Sequence, residues 1–215
     1  MPDSFFVDIW SDVVCPFCYL GTRQLELALS NFEHRSQVVT RLHAFELDPH
    51  APIHSELSLP ELLAKKYGMS VERARAANDH LESEARALGM TWSLGTATPT
   101  NTFDAHRLVA LAATQGLAES MVQRLFLAYF SQSRLLGDRS VLDELADEVG
   151  VVGVSQLWSG DEFSREVRDD ELRAQELGIS GVPSMLIDNR FMVVGAQGEQ
   201  KILEALERAW ARRGD

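Results

Sequence analysis

Cysteine is nearly absent: the 215-residue chain carries two, Cys15 and Cys18. A secreted protein of this size more often has a spread disulfide framework, so one close pair argues for a reducing compartment. Long apolar runs are also missing, and no stretch approaches the ~20 residues of a membrane-spanning helix. The opening Met1-Pro2-Asp3-Ser4-Phe5 places no basic segment before an apolar run, so no secretory leader is expected. These absences predict a cytoplasmic protein. Basic residues are scarce, with 20 Lys and Arg against 32 Asp and Glu, a formal charge of −12. Neither nucleic acid nor an anionic membrane surface suits such a surface, because both need clustered cations.

What is present is globular. Hydrophobic residues make up 45 % and charged residues 24 %, enough for an ordinary core. Phe5 to Trp10 is an aromatic and β-branched run and predicts a strand. Pro16 suits an early helical position, and Leu20, Leu25, Leu27, Ala28 and Phe32 continue a helix to about Asn31. Val38 to Phe45 predicts a second strand. After a loop with Pro49, Pro52 and Pro60, helical spacing dominates to about Trp158. The segments are 60–67, 71–88, 102–115, 118–131 and 138–149, punctuated by Gly68, Gly89, Gly116, Gly137 and Gly150 as C-terminal caps. Asp161 to Leu177 predicts one further helix ended by Gly178. Ser184 to Asp188 and Phe191 to Val194 predict a hairpin turning at Asn189-Arg190. Glu199 to Arg213 predicts the last helix.

Neither α/β end can bury a sheet alone, so the two are expected to join. The prediction is an α/β protein with 1–55 and 165–215 in one domain and 56–164 as an inserted, all-helical domain. That element order is the one of a thioredoxin-like fold interrupted in its middle.

Cys15-Pro16-Phe17-Cys18 falls at the first strand–helix junction. The thiolate is the nucleophile of disulfide exchange, and a free thiol with a pKa near ~8.5 is little ionised at neutral pH. Unpaired N–H groups at a helix N-terminus favour the negative sulfur. Cys15, the outer residue, is the expected nucleophile, and Cys18, one turn later, the resolving thiol. Phe17 brings no positive charge, so the couple is expected to be less oxidising than a Cys-Pro-His-Cys one. Two other readings compete. Both thiols can be inert core residues. Zinc needs about four ligands, and neither a second CxxC nor a nearby His pair supplies them, since His34 and His43 stand isolated. No metal is expected.

The second signature is Gly181-Val182-Pro183-Ser184, with a proline at a strand entry, where its missing N–H costs no ladder bond. A cis Val182-Pro183 bond would leave the Val182 backbone free to pair with an extended substrate. A trans bond at a plain strand entry fits the sequence equally well.

Three stations together carry a family resemblance: Asp12-Val13-Val14-Cys15-Pro16-Phe17-Cys18-Tyr19-Leu20-Gly21, then Asn101-Thr102 with Ala105-His106-Arg107, then Gly181-Val182-Pro183 with Gly195-Ala196-Gln197. The chain resembles the DsbA-like thioredoxin superfamily over its whole length, and within it the cytosolic FrnE-like branch. That branch commonly carries Trp at the position of Phe17. The resemblance implies a thioredoxin domain with a helical insertion, a cis Pro183, and Cys15 as the attacking thiol. Its relatives include 2-hydroxychromene-2-carboxylate isomerase and kappa-class glutathione transferases, which typically put Ser in place of Cys15. Asn101 and His106 resemble the segment lining the cleft in this branch, with helix capping by Thr102 and packing of His106 as the plainer reading.

Other residues read more simply. Trp10, Trp92, Trp158 and Trp210 suit a core or an interface. His50 and His54 suit a solvated loop. Asp8 is either a buried proton carrier near the sulfurs or a solvent-facing residue. The run from Glu162 to Glu171 reads as a solvated helix face. The expected function is thiol–disulfide exchange. Catalysis falls to Cys15 and Cys18, and substrate binding to Pro16, Phe17, Val182, Pro183, Asn101 and His106. The expected partners are disulfide- or thiol-containing substrates, with glutathione a candidate co-substrate, no resident cofactor, and a homodimer left open. The rival expectation is a glutathione-dependent isomerase or transferase acting on a small aromatic molecule.

Overall fold

The alternation of Phe5, Val7 and Ile9 with Phe6, Asp8 and Trp10 gives the first strand two different faces, and the fold is built around that strand. In the computed structural model, which describes residues 5–213, β1 (Phe5–Ser11) lies inside a four-stranded sheet. It pairs in parallel with β2 (Val38–Ala44) on one side and antiparallel with β3 (Ser184–Ile187) on the other. β4 (Phe191–Val194) completes the order β2-β1-β3-β4. Met1 to Ser4, part of the leader reading above, lie outside the described residues.

The chain divides into two compact units, 1–47 with 168–215, and 48–167. In the first unit, α1 (Pro16–Asn31) and α9 (Glu199–Ala211) cover one sheet face. Leu25, Ala28 and Leu29 of α1 meet Ile202, Leu206 and Ala209 of α9 over Phe5, Val7, Ile9, Met185 and Ile187. Burying such side chains stabilises by roughly 1.5–3 kcal/mol each relative to exposure. On the other face, Trp10 and Leu186 pack with Ala174 and Ile179. Ala174 belongs to α8 (Ser164–Glu176).

The second unit is helical: α2 (Leu59–Tyr67), α3 (Val71–Ala87), α4 (Phe103–Ala113), α5 (Ala118–Gln132), α6 (Arg139–Val149) and α7 (Val154–Ser159). Leu108, Met121, Leu125, Phe126, Phe130, Leu142 and Leu145 are buried there. The insertion of this helical block into a thioredoxin-like α/β fold agrees with the sequence expectation. No helix among the described residues is long and apolar enough to cross a membrane.

Several local expectations need correction. Gly137 does not cap α5; Ser133 does, in the left-handed region at φ 54°. Gly137 is instead a steric requirement, since a Cβ there would sit 2.8 Å from the Ile53 carbonyl oxygen. The helix expected over Asp161 to Leu177 starts later, because Phe163 takes φ 61° and ends the preceding turn. The hairpin turns one residue earlier than the expected Asn189-Arg190, with Asp188 (φ 50°) and Asn189 (φ 53°) in the left-handed region. Short Asx side chains tolerate that region.

Candidate active site

β1 delivers the chain to the site, and a tight turn converts strand into helix. The Cys15 N–H bonds the Asp12 carbonyl at 3.0 Å, closing that turn. Cys15 then occupies the N-cap of α1 in extended conformation, and Pro16 follows as the first helical residue. Proline costs nothing there, because the first N–H groups of a helix have no internal partner. The N–H groups of Cys18 and Tyr19 both reach back to the Cys15 carbonyl, at 3.0 and 3.3 Å.

Both cysteines are free thiols. Cys15 is 3 % exposed and Cys18 fully buried, so the outer thiol is far less exposed than its place in the sequence suggests. Phe17 between them is 47 % exposed. The Cys18 sulfur accepts the Asp12 N–H at 3.4 Å. Burial pushes the Cys18 thiol well up, and the neighbouring Cys15 pushes it the same way; the Ser11 hydroxyl and the Asp12 N–H pull it down without overcoming them. Cys18 is therefore a protonated thiol at neutral pH in the reduced protein. The Asp12 carboxylate is turned aside, accepting the Leu47 N–H at 2.8 Å and the Val14 N–H at 3.5 Å.

The third wall comes from the far end of the chain. The Val182–Pro183 peptide bond is cis. The Cys15 thiol donates to the Val182 carbonyl at 3.6 Å. Ser184 Oγ donates to the Gly181 carbonyl at 2.8 Å, and the Gly195 N–H donates to the Pro183 carbonyl at 2.7 Å, fixing the segment on both sides. Gly21 of α1 lies against it, since a Cβ at position 21 would meet Pro183 Cγ at 2.8 Å.

Cys15, Pro16, Phe17, Cys18, Val182 and Pro183 thus gather within the first unit. Asn101 and His106 lie in the second unit. Asn101 Oδ1 accepts the Phe103 N–H at 3.0 Å, and Asn101 Nδ2 donates to the Pro49 carbonyl at 3.4 Å. The side-chain cap of α4 is therefore Asn101, whereas Thr102 makes no side-chain cap bond. His106 is buried in α4. Arg107 has the clearest role there: buried, it donates to the carbonyls of Leu157, Gly160 and Glu162 and pairs with Asp104.

A polar cluster on the opposite sheet face from α1 was not legible. Asp8 is buried and takes two bonds from Arg41, at 2.7 and 2.6 Å. His43, isolated in sequence, bridges Asp8 at 2.8 Å and Asp170 at 2.6 Å. Burial pushes the His43 imidazole down, but the bonds to Asp170 and Asp8 outweigh it and raise the pKa to about 9. Burial pushes the Asp8 carboxyl up, and His43 and Arg41 outweigh that, holding it below the usual range. Asp8 is thus committed to its partners. The run expected to be solvated is likewise engaged in part: Asp170 Oδ2 accepts the Ala44 N–H at 2.9 Å, and Arg168 bonds Glu46 at 2.6 Å. Only α8, packing on that face, reveals these pairs. Among the described residues no trio of His, Cys, Asp and Glu stands in metal-holding reach.

The sequence pattern of the DsbA-like thioredoxin domain matches residues 6–207. A probable DsbA oxidoreductase from Streptomyces coelicolor is 36 % identical, with 97 % of this chain and 91 % of that one covered and a TM-score of 0.93. An uncharacterised Bacillus subtilis protein, YwbO, is 25 % identical over 93 % of this chain and 94 % of its own. The cytosolic disulfide reductase DsbM of Pseudomonas aeruginosa, solved with glutathione, shares the fold at a TM-score of 0.66 and 19 % identity, over 96 % of this chain and 99 % of its own. With two free thiols at the head of α1 and a match spanning nearly all of its length, the chain belongs to the DsbA-like thioredoxin domain family, whose solved neighbours include disulfide oxidoreductases.

Proposed function

We propose that the protein is a thiol–disulfide oxidoreductase working through Cys15 and Cys18. One observation carries the reading: two free thiols at the start of α1, with the outer sulfur 3.6 Å from the Val182 carbonyl. In the reducing direction the Cys15 thiolate attacks one sulfur of a substrate disulfide. A Cys15–substrate disulfide forms and the other substrate sulfur leaves as thiolate, taking a proton. Cys18 then loses its proton and attacks the Cys15 sulfur. The enzyme disulfide closes and the second substrate thiol departs. Two electrons pass from the dithiol to the substrate, and the oxidised enzyme runs the same steps backwards.

Pro16 and Phe17 form one lip of the substrate site, and Val182 and Pro183 the other. An extended peptide can pair with the Val182 backbone, as in strand addition. Asn101 and His106 act, in this reading, by shaping the helical unit. The protein works in the cytoplasm on protein or small-molecule disulfides, without a resident cofactor. Insulin reduction and refolding of a scrambled protein test the proposal; activity unchanged in Cys15→Ser rejects it.

Glutathione is the second candidate substrate. Its support is the fold shared with a reductase solved with glutathione. As the thiol partner, one glutathione thiolate would attack the Cys15–Cys18 disulfide, forming a glutathione–enzyme disulfide and freeing the other cysteine; a second would attack that mixed disulfide, releasing glutathione disulfide and leaving both enzyme thiols reduced. Retention of both cysteines favours this role over a glutathione-dependent isomerase or transferase. Turnover that rises with glutathione in the parent, and survives in neither Cys15→Ser nor Cys18→Ser, supports it. Isomerase activity on a small aromatic substrate in Cys18→Ser speaks for the rival.

A further inference from the structure

Ser11 ends β1 with its residue 8 % exposed and its Oγ fully buried. Among the described residues that oxygen has no conventional hydrogen-bond partner. A buried hydroxyl left unpaired costs roughly 1–3 kcal/mol, so its presence calls for a reason. Neighbouring groups supply one. The Ser11 carbonyl is already used, accepting the Phe45 N–H at 3.2 Å, so the residue's backbone is fixed. The next residue's N–H points at the Cys18 sulfur from 3.4 Å. Alternation along β1 turns Ser11 to the face of Ile9, the face that α1 and Cys18 cover, and the hydroxyl there favours the ionised sulfur.

The sulfur needs help. It is fully buried, and burial opposes the thiolate that the resolving step requires. The adjacent Asp12 carboxylate is occupied elsewhere, by the Leu47 and Val14 N–H groups.

We propose that Ser11 is a positioning residue for the resolving thiol: its hydroxyl donates a hydrogen bond to the Cys18 sulfur as that sulfur becomes a thiolate. The step served is the second half of the exchange. The Cys15–substrate disulfide is broken, the Cys18–Cys15 bond forms, the substrate sulfur leaves with the electron pair, and the proton of Cys18 passes to solvent. In the reduced resting protein the hydroxyl has no conventional partner, and the thiolate formed in the resolving step gives it a charged acceptor. This inference rests on the redox role proposed above.

Ellman's reagent separates the two steps, because each enzyme molecule releases one thionitrobenzoate when Cys15 attacks and a second when Cys18 resolves. Stopped-flow absorbance should show the first release unchanged in Ser11→Ala and the second slowed about tenfold, the loss expected for one hydrogen bond to a charged group. Ser11→Thr keeps a hydroxyl and should resolve at the parental rate. Mass spectrometry of quenched Ser11→Ala should find the mixed disulfide on Cys15. A parental second release in Ser11→Ala, equal slowing of both releases, or Ser11→Thr as slow as Ser11→Ala overturns the inference. Failure of the redox role itself shows separately, as parental protein that does not reduce insulin.

Discussion

The Cys15 sulfur faces the carbonyl oxygen of Val182 across 3.6 Å, although the two residues are 167 positions apart in sequence. The contact joins the head of α1 to the segment before β3 and puts the Val182 backbone beside the Cys15 sulfur. Removing Cys15 and removing Cys18 should therefore have different consequences. Cys15→Ser should lower disulfide reduction to background. Cys18→Ser should still attack but stall, accumulating a covalent enzyme–substrate disulfide visible on non-reducing gels.

Phe17 gives the sulfur at the helix start no charged neighbour. Phe17→His should stabilise the thiolate state and make the couple more oxidising, by about 30 mV or more if the imidazolium contributes roughly 1.4 kcal/mol. Equilibration against glutathione buffers, read by thiol alkylation, measures the shift. An unchanged potential would show that position 17 does not tune the couple.

His43 titrates at about 9 in the fold against an ordinary 6.5. Its raised value means that its contribution is fully present below pH 6.5 and is lost as pH rises to about 9. The loss should amount to up to about 3 kcal/mol, reduced by the imidazole's partial exposure. Urea unfolding at stepped pH should show this slope, and His43→Gln should flatten it. A thiol-free Cys15→Ser, Cys18→Ser background removes cysteine titration. The Trp10 ring stacks on His43 at 4.5 Å, so its emission should rise as the imidazolium deprotonates.

Gly21 sits inside a helix, where alanine is intrinsically better by roughly 1 kcal/mol. Here the sign should reverse, because a Cβ would press on Pro183 at 2.8 Å. Gly21→Ala should destabilise by about 1–3 kcal/mol and slow disulfide exchange, since Pro183 must move away from α1. Thermal melting and insulin turnover check both.

Local signals were readable where the cause was local. Pro16 announced the start of α1, and the spacing of Leu20, Leu25 and Ala28 announced its buried face. Gly68 and Gly150 ended their helices as left-handed caps. Gly137 misled because a glycine demanded by the crowded Thr100 and Ile53 reads the same in sequence as a cap. Asp8, His43 and Asp170 were invisible as a group because they come from three elements that only the sheet and α8 bring together. Ser11 escaped for a simpler reason: it looks like any polar residue at the end of a strand. Its buried, unpaired oxygen is a fact of three dimensions.

β1 is zipped on one side to a strand that follows it closely and on the other to β3, from the far end of the chain. On a ribosome, the CxxC helix and β2 therefore emerge long before the strand that shields Trp10 and Ile9 from one side. The helical unit between β2 and β3 is made before β3 and can fold before it. Throughout that interval both thiols lack the Val182 wall, open to stray oxidation and to mispairing. A nascent chain of this protein carries both sulfurs uncovered on that side until the segment before β3 arrives, and the site is complete only when the last strands close the sheet.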